Sequence, residues 1–528
     1  MEMVFSLSTR IFTVYSTILK WSLRRNASVH GTLCRLDGPH RTLLILEELG
    51  GVYLKFGQIL AMRLDLIPMR YAAVLMNLFS NVTAEPNGLF FETFKKNIGK
   101  PVTEVFESIE EKPIGVASFA QVYKGVFDGM PVAIKIQKPG ADKAIAEDLL
   151  VLRLLIVIMK MLGFLNTVST AQLLGQFTLW LRQELDYRIE AANLVDMGEQ
   201  IKKHSFEDRV RIPRLFGRFT TRVTLVEEFF DGMTVDDIIN GRASLSGPKR
   251  LKAAEAFQRD LMRQSWVDGF FHADPHPGNL MVFADGRIGY IDFGIMGRAT
   301  TAPVHFLRFI EGAVKRDAKY STEGLMRYAH TRLKNEAAEL FQREPKYRQA
   351  ADILISFITE KLSANLTPMM EEWHEQTGNT TLSLFERSSA VSFYKMVKEA
   401  SRFGLTFPSD SIAFVRTLLI IDMVCLNLSP KFNMVESAKK FFDEFPIERV
   451  ERENPWHAAE IAAPRSAPAF SRDMLANSSG REWDVEYQAH KTWWARYREE
   501  HNKHRLIYRV GALADRYPEL YTSLREVL

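Results

Sequence analysis

The stretch FFHADPHPGNLMVFADGRIGYIDFG, Phe270–Gly294, carries two histidines and three aspartates. Two chemistries compete for such a run: a metal site built on the histidines, or a loop that handles phosphate and magnesium. His272 and His276 stand four apart, and that spacing puts two imidazoles on one zinc only where the backbone is helical. Pro275 and Pro277 flank His276. A proline inside a helix costs about 3 kcal/mol or more, so the segment is a loop. Helical zinc sites also carry a glutamate after the first histidine, and here that position is Ala273. Zinc is disfavoured.

Phosphoryl transfer fits better. It needs an aspartate to orient or deprotonate a hydroxyl, an asparagine five residues on that reaches a metal, and a second metal-binding aspartate in D-F-G. The sequence has Asp274, Asn279 and Asp292-Phe293-Gly294. Between them, LMVFADGRIGYI reads as a hairpin turning at Asp285–Gly286, which brings Asn279 and Asp292 to one metal. An isolated D-F-G is weak; three residues at these offsets, joined by a hairpin, are a strong joint signal. His272 reads as a structural residue of the loop.

Working upstream, PVAIK ends at Lys135 on an alternating strand that follows a turn at Asp128–Met130. A lysine there can reach the α- and β-phosphates, and it needs a helix carboxylate to hold it. Glu190, in LRQELDYRIEAANL, is the candidate. VEEFFDG, Val226–Gly232, follows a strand and reads as the hinge where adenine is met, with Glu227 and Glu228 among its residues. The phosphate-covering loop reads PIGVASFAQV, with one glycine and with Ala117 and Ser118 at its centre. A Cβ on each residue restricts backbone approach to phosphates, so the nucleotide is expected to sit differently from one under a glycine-rich loop.

The wider pattern is α+β in two lobes. Residues 42–81 read as helices punctuated at Gly50–Gly51 and Pro68. From about Pro113 the period turns to strands, then to a long helical stretch over 141–203, back to strands, and to helices after Gly247. The chain has 528 residues, 46% of them apolar, which supports more than one core and excludes global disorder. A net charge of +4 is too mild to argue for nucleic acid. Two cysteines, Cys34 and Cys425, leave no disulfide framework and no thiolate zinc site. No run of 18 uncharged apolar residues exists; the nearest, Leu149–Leu165, is interrupted by Arg153 and Lys160 and reads as a buried helix, with a membrane-contacting face as the sharper alternative.

The N-terminal segment MEMVFSLSTRIFTVYSTILKWSLRRN has one apolar helical stripe, Val4, Leu7, Ile11, Val14, Ile18 and Trp21. An opposite stripe carries Ser6, Arg10, Thr13, Thr17, Lys20 and Arg24. An interfacial membrane helix, an organellar transit peptide and a helix docked on its own domain all fit. Residues 451–482, rich in Pro, Ala and Ser, read as a linker, and the basic, aromatic 483–528 as a terminal helical segment.

Four motifs give the chain a resemblance to the UbiB, or ADCK, family of atypical protein-kinase-like proteins. They are KFGQ at Lys55–Gln58, VASFAQV at Val116–Val122, ELDYRIEAAN at Glu184–Asn193, and HADPHPGN with DFG. Coverage runs from about Leu43 to Arg298. By themselves Lys55 and Gln58 would read as the solvated side of a helix. The resemblance implies a kinase-like fold whose helical extension, with Lys55 and Gln58, lies over the active site. It implies an alanine-rich loop with Ala117 and Ser118, and an E-x-D motif, Glu184 and Asp186, that pairs with Lys55 and Gln58. Lys135 and Glu190 form the ion pair, Asp274 is catalytic, and Asn279 and Asp292 hold metal. ATP or ADP and Mg2+ are the implied cofactors, and the implied activity is ATP hydrolysis in support of ubiquinone or other isoprenoid-quinone synthesis, with phosphorylation of proteins in trans doubtful. Expected partners are a membrane surface or lipids, quinone-biosynthesis enzymes and a small lipid-like or phenolic ligand, with no nucleic acid. The expected location is the cytoplasmic side of a bacterial inner membrane, or a mitochondrion or plastid. One departure is Gly115-Val116, where the family usually has two alanines.

The segmentation that follows is 1–41 amphipathic, 42–112 helical extension, 113–232 N-lobe with inserted helices, 233–450 helical C-lobe, 451–482 linker and 483–528 terminal segment. A protein or small-molecule kinase, and a non-catalytic nucleotide-binding scaffold, are the alternatives. KFGQ and ELDYRIEAAN weigh against a small-molecule kinase.

Overall fold

The computed structural model describes residues 2–24, 26–29, 32–61, 67, 69–75, 78, 84–161, 175, 177, 178, 181, 184–298, 303–328, 345–403, 405, 409–453 and 517. The expected linker and terminal segment lie almost wholly outside these residues, as does the side chain of Gln58. The chain forms two compact units: one of Met1–Ser244 with Asp274–Met296, the other of Leu245–Ala273 with Gly297–Leu528.

The first unit opens with helix α1 (Glu2–Leu23) and a β1–β2 hairpin (Asn26–Val29, Thr32–Arg35). Then come α2 (Gly38–Leu49), α3 (Gly51–Ala61) and α4 (Met69–Leu75). The break between α2 and α3 is made by Gly50 and Gly51, whose φ angles of 61° and 48° are those glycine adopts without strain. Helices α5 (Asn87–Ile98) and α6 (Val102–Val105) lead into a five-stranded antiparallel sheet. Its order is β3 (Ser108–Ile109), β5 (Ala120–Phe127), β6 (Met130–Gln137), β8 (Thr224–Glu228), with β4 (Gly115–Ala117) also paired to β5. Asp128 and Gly129, both at positive φ, form the two-residue β5–β6 turn, the geometry that matches the twist of a hairpin.

One face of this sheet is closed by α5. Phe90 and Phe94 pack on Tyr123, Val132, Ile134 and Val226, all fully buried. Over the start of β6 the alternation is apolar-in, with Val132, Ile134 and Ile136 buried and Ala133 and Lys135 left partly accessible on the other face. Helix α7 (Ala141–Met161) follows the sheet, and α8 (Tyr187–Lys203) carries a buried stripe of Tyr187, Glu190, Ala191, Leu194, Met197 and Ile201. A second, four-stranded sheet has the order β7 (Val210–Arg211), β12 (Ile288–Tyr290), β11 (Leu280–Val282), β9 (Met233–Thr234). The short helix α9 (Val235–Ile239) lies beside β9 and β11.

Of the three readings of the N-terminal helix, docking describes the C-terminal part of the stripe that the sequence singles out. Val14 and Trp21 are buried and Ile18 packs against the same core as Leu43, Leu149 and Leu152, whereas Ile11 is 39% exposed and the side chains of Val4 and Leu7 lie outside the described residues. The opposite stripe is not uniformly solvated, which corrects the simple amphipathic picture. Thr17 is buried, and Arg10 turns inward to chelate Asp148 of α7, its Nη2 donating to Oδ2 at 3.0 Å and to the carbonyl of Leu49 at 3.3 Å. A carboxylate buried under three helices requires such a cation.

The second unit is helical. Helix α10 (Gly247–Arg263) runs into a π-turn at Gln264–Asp268 and the strand β10 (Phe270–His272). Around it lie α11 (Pro303–Lys315), α12 (Pro345–Gly378), α13 (Leu384–Arg387), α14 (Ser389–Arg402), α15 (Ser409–Leu428), α16 (Met434–Glu444) and α17 (Ile447–Glu453). At the end of α10, Arg263 is fully buried against Asp260, at 2.9 Å, and Asp268. Gln264 bridges the group, its Nε2 donating to Asp260 at 2.6 Å while its Oε1 accepts the His272 N–H at 3.0 Å. His272 thus sits buried on a strand, as a structural residue.

Removing one partner from such a network leaves uncompensated charge in the interior. Arg263→Leu should therefore destabilise the helical unit by about 3–5 kcal/mol, read by denaturant unfolding followed through the fluorescence of buried Trp266 and Trp373. A midpoint equal to that of the parent would show that the network contributes nothing.

Candidate functional site

The residues singled out in the sequence fall within the first unit, and the two sheets position them. β6 presents Lys135, and α8 presents Glu190 one turn after its N-cap. Lys135 Nζ donates to both Glu190 oxygens, at 2.9 and 3.0 Å, and lies 3.4 Å from Asp292 Oδ2. The lysine also stands 5.2 Å over the ring of Tyr187. Tyr187 is a site residue that the sequence reading passed over, although it lies inside the quoted ELDYRIEAAN.

That motif has a physical logic. Glu190 and Asn193 are three apart, so they share one face of α8. Glu190 holds Lys135, and Asn193 Nδ2 donates to the Phe293 carbonyl at 2.9 Å. One helix face thereby ties the lysine strand to the D-F-G turn. Asp292 sits at φ 64°, a left-handed conformation rare for a residue with a side chain and costing on the order of 1 kcal/mol. Its Oδ1 accepts the Gly294 N–H at 3.1 Å.

The catalytic loop is built from its own polar groups. The Asp274 carbonyl accepts the His276 N–H at 2.7 Å and the Asn279 Nδ2 at 3.1 Å. His276 is exposed and its Nδ1 accepts the Gly278 N–H at 3.4 Å. The β11–β12 hairpin pairs Leu280 with Tyr290, and the Ile291 N–H donates to the Asn279 carbonyl at 2.9 Å. Asn279 and Asp292 are therefore backbone neighbours across the hairpin. Among the described residues no group of three or more His, Cys, Asp or Glu could hold a metal by itself. An amide oxygen and a carboxylate are hard donors, and magnesium is ordinarily held by one or two carboxylates together with phosphate oxygens and water. The donor set fits that ion and excludes a closed zinc site.

Lys55, on α3, pairs with Glu184 at 2.8 Å. Burial opposes its charge, but Glu184, Asp274 and Asp292 outweigh burial and raise its pKa. The lysine therefore lies within the field of Asp274 and Asp292. The glycine of KFGQ has a packing reason: a Cβ at Gly57 would lie 2.5 Å from Leu46 and 2.6 Å from Leu78. Asp186 does not join Lys55. It caps α8, accepting the Arg188 N–H at 3.1 Å, and pairs with the Arg188 side chain at 2.6 Å.

Ala117 ends β4, where it pairs with Ala120, and Ser118 with Phe119 forms the tight turn to β5. No residue of this turn needs a positive φ, which is why alanine and serine serve. Of the two hinge glutamates, Glu228 is occupied. It pairs with Arg211 at 2.8 Å and accepts the Arg214 N–H at 3.2 Å. The Arg211 guanidinium lies over the rings of Phe230 and Phe283, at 4.6 and 4.4 Å. Glu227 instead faces the lysine cluster. Burial, then the nearness of Glu190, pushes its pKa up to about 8. Burial likewise raises Glu190 to about 7 despite its bond to Lys135. Burial also works against the Lys135 ammonium, but Asp292 and Glu190 outweigh it and hold that pKa well above the ordinary lysine value. Three carboxyls crowd one ammonium, so the cluster keeps a proton near neutral pH.

Residues 77–324 match the ABC1 atypical kinase-like domain. An uncharacterised protein of Synechocystis is 34% identical over 275 residues, 50% of this chain and 66% of its own length. The chloroplastic protein ACTIVITY OF BC1 COMPLEX KINASE 1 of Arabidopsis thaliana is 29% identical over 75% of this chain and 54% of its own length. The match to these two thus spans between about half and two thirds of the relative. A probable protein kinase UbiB of Cellvibrio japonicus is 27% identical over 83% of this chain and 74% of its length. A Mycobacterium tuberculosis protein solved in complex with erythromycin matches 54% of this chain and 71% of its own, at 25% identity and a TM-score of 0.41.

The pH response of the cluster has a definite sign. An unfolded chain releases the Glu227 proton near 4.5, whereas the folded chain holds it to about 8. Its contribution to stability is therefore complete below pH 4.5 and lost as pH rises through about 8. The melting temperature of Glu227→Gln should fall less than that of the parent over this interval; parallel curves would refute the assignment.

Residues 77–324, which hold Lys135, Glu190, Asn279 and Asp292, are an ABC1 atypical kinase-like domain.

Proposed function

We propose that the chain binds a magnesium nucleotide and hydrolyses ATP slowly, in support of quinone synthesis at a membrane. The observation that carries this reading is the Lys135–Glu190–Asp292 cluster, bonded at 2.9 to 3.4 Å with Asn279 across the hairpin. Magnesium, when bound, neutralises charge that develops on the phosphates. Lys135, fixed by Glu190, meets phosphate oxygens; Asp292 and Asn279 supply oxygen ligands; Asp274 orients the attacking hydroxyl or water. Phosphoryl transfer depends mainly on such positioning.

Lys55 supports hydrolysis over protein phosphorylation. Helix α3 brings this cation into the field of Asp274 and Asp292 while Glu184 holds it at 2.8 Å. A protein substrate has to bring its hydroxyl to that aspartate past a packed helix; water or a small phenolic or lipid-like molecule does not. The link to quinones rests on the kinship with the UbiB-named relative.

The purified chain should release phosphate from Mg-ATP without labelling added proteins. Asp292→Asn should abolish the magnesium-dependent rise in melting temperature with ATP, and Lys55→Ala should alter turnover while leaving the melting temperature of the free chain within a few degrees. Transfer to a generic peptide at about 1–100 s⁻¹, the range of ordinary kinases, would replace this reading with that of a protein kinase.

A membrane role is supported by a different face of α1 from the one that docks. Phe12 and Leu23 are 70% and 74% exposed, with Tyr15 and Leu19 between them. Leu150, Leu154, Val157 and Ile158 of the neighbouring α7 are also exposed. Among the described residues no helix is long and apolar enough to cross a bilayer. Amphipathic contact therefore replaces spanning in this proposal. Flotation with anionic liposomes is expected and should be lost in Phe12→Asp/Leu23→Asp/Leu154→Asp; unchanged flotation of the triple variant would exclude this face.

A further inference from the structure

The ladder of β5, β6 and β8 sets aside one face of the sheet. Val122 stands opposite Lys135, and Lys135 opposite Leu225; two residues along, Ala133 stands opposite Glu227. Paired residues in an antiparallel ladder share a face, so Val122, Ala133, Lys135, Leu225 and Glu227 point the same way. Their neighbours Tyr123, Val132, Ile134 and Val226 fill the opposite core. On the shared face Val122, Ala133, Lys135 and Glu227 stay partly accessible. Ala133 adds only a methyl between the valine and the glutamate.

Glu227 ends this surface. Its Oε2 is enclosed and, among the described residues, has no hydrogen-bond partner. The ammonium that acts on it, Lys135, already donates to Glu190 and lies beside Asp292. An enclosed carboxyl oxygen without a bond carries a cost of about 1–3 kcal/mol, which a bound donor recovers. Two residues of strand separate Lys135 from the Ala133–Glu227 pair, about 7 Å. A nucleotide whose phosphates meet Lys135 therefore lays its base over Val122 and Ala133, with one edge at Glu227.

We propose that the Glu227 side chain reads the base, accepting a hydrogen bond from an exocyclic amino group and so selecting a 6-aminopurine nucleotide over a 6-oxopurine one. The inference rests on the nucleotide-binding reading given above. Either protonation state of the carboxyl offers an acceptor to an amino group. Only the neutral acid can donate to an oxo group, so the selection is sharpest above the pKa of about 8. The adjacent Glu228 is unsuited to the same task, because it stands opposite Val132 on the other face of the ladder and is engaged by Arg211 and the Arg214 N–H.

The test is binding of Mg-ATP and Mg-ITP to the full chain by calorimetry at about pH 9, above the carboxyl's raised pKa. The parent should prefer ATP by about tenfold or more, the discrimination expected of a buried polar contact. Glu227→Met should weaken ATP about tenfold and leave ITP within about twofold. Glu227→Gln, the near-isostere, should keep ATP affinity and gain ITP affinity, because an amide both accepts and donates. Equal binding of ATP and ITP by the parent, or an unchanged ratio in Glu227→Gln, overturns the base-reading role while leaving the nucleotide site standing. Failure of the parent to bind either triphosphate overturns the nucleotide site itself, and this inference with it.

Discussion

One ammonium organises the first unit. Lys135 is drawn by Glu190 from a helix and by Asp292 from the D-F-G turn, and it lies over the Tyr187 ring. Strand, helix and turn come from chain positions up to 157 residues apart. Buried charges tolerate no slack, because an ammonium or carboxylate left alone away from water is costly. The geometry that gathers these groups is thus the same geometry that keeps Glu190, Asp292 and the lysine from being stranded. Stability and site assembly depend on the same contacts.

Much of this was legible because the chemistry is local in sequence. Asp274, Asn279 and Asp292 stand at offsets that a loop and a hairpin convert directly into proximity, and Asp285-Gly286 marks the turn. Lys135 and its strand alternate visibly. Glu190 needed only the idea that a strand lysine requires a helix carboxylate. The resemblance supplied Lys55, whose partner Glu184 lies 129 positions away and whose own surroundings look like an ordinary solvated helix side. No periodicity could supply it.

What stayed hidden was the division of labour between like residues. Glu227 and Glu228 are adjacent and identical, yet strand alternation sends one to the lysine cluster and the other to Arg211. Glu184 and Asp186 look like a matched pair, but the second belongs to its own helix as a cap. In α1 the apolar stripe that the periodicity favours is the docked one, and a second apolar face remains outside. Two of these outcomes are set by partners elsewhere in the chain, Arg211 for Glu228 and Asp148 for Arg10, and the third by the local helix start at Arg188.

The Arg10–Asp148 pair spans 138 positions. A ribosome covers that distance in on the order of ten seconds at about 5–20 residues per second. For that time α1 lacks the α7 carboxylate that neutralises Arg10, while the residues that cover Trp21, among them Leu36, Leu44 and Ile45, are already made. The ion pair is thus a late lock on a helix whose apolar packing onto α2 is already available, and the finished protein keeps one apolar face of α1 folded inward and another turned outside.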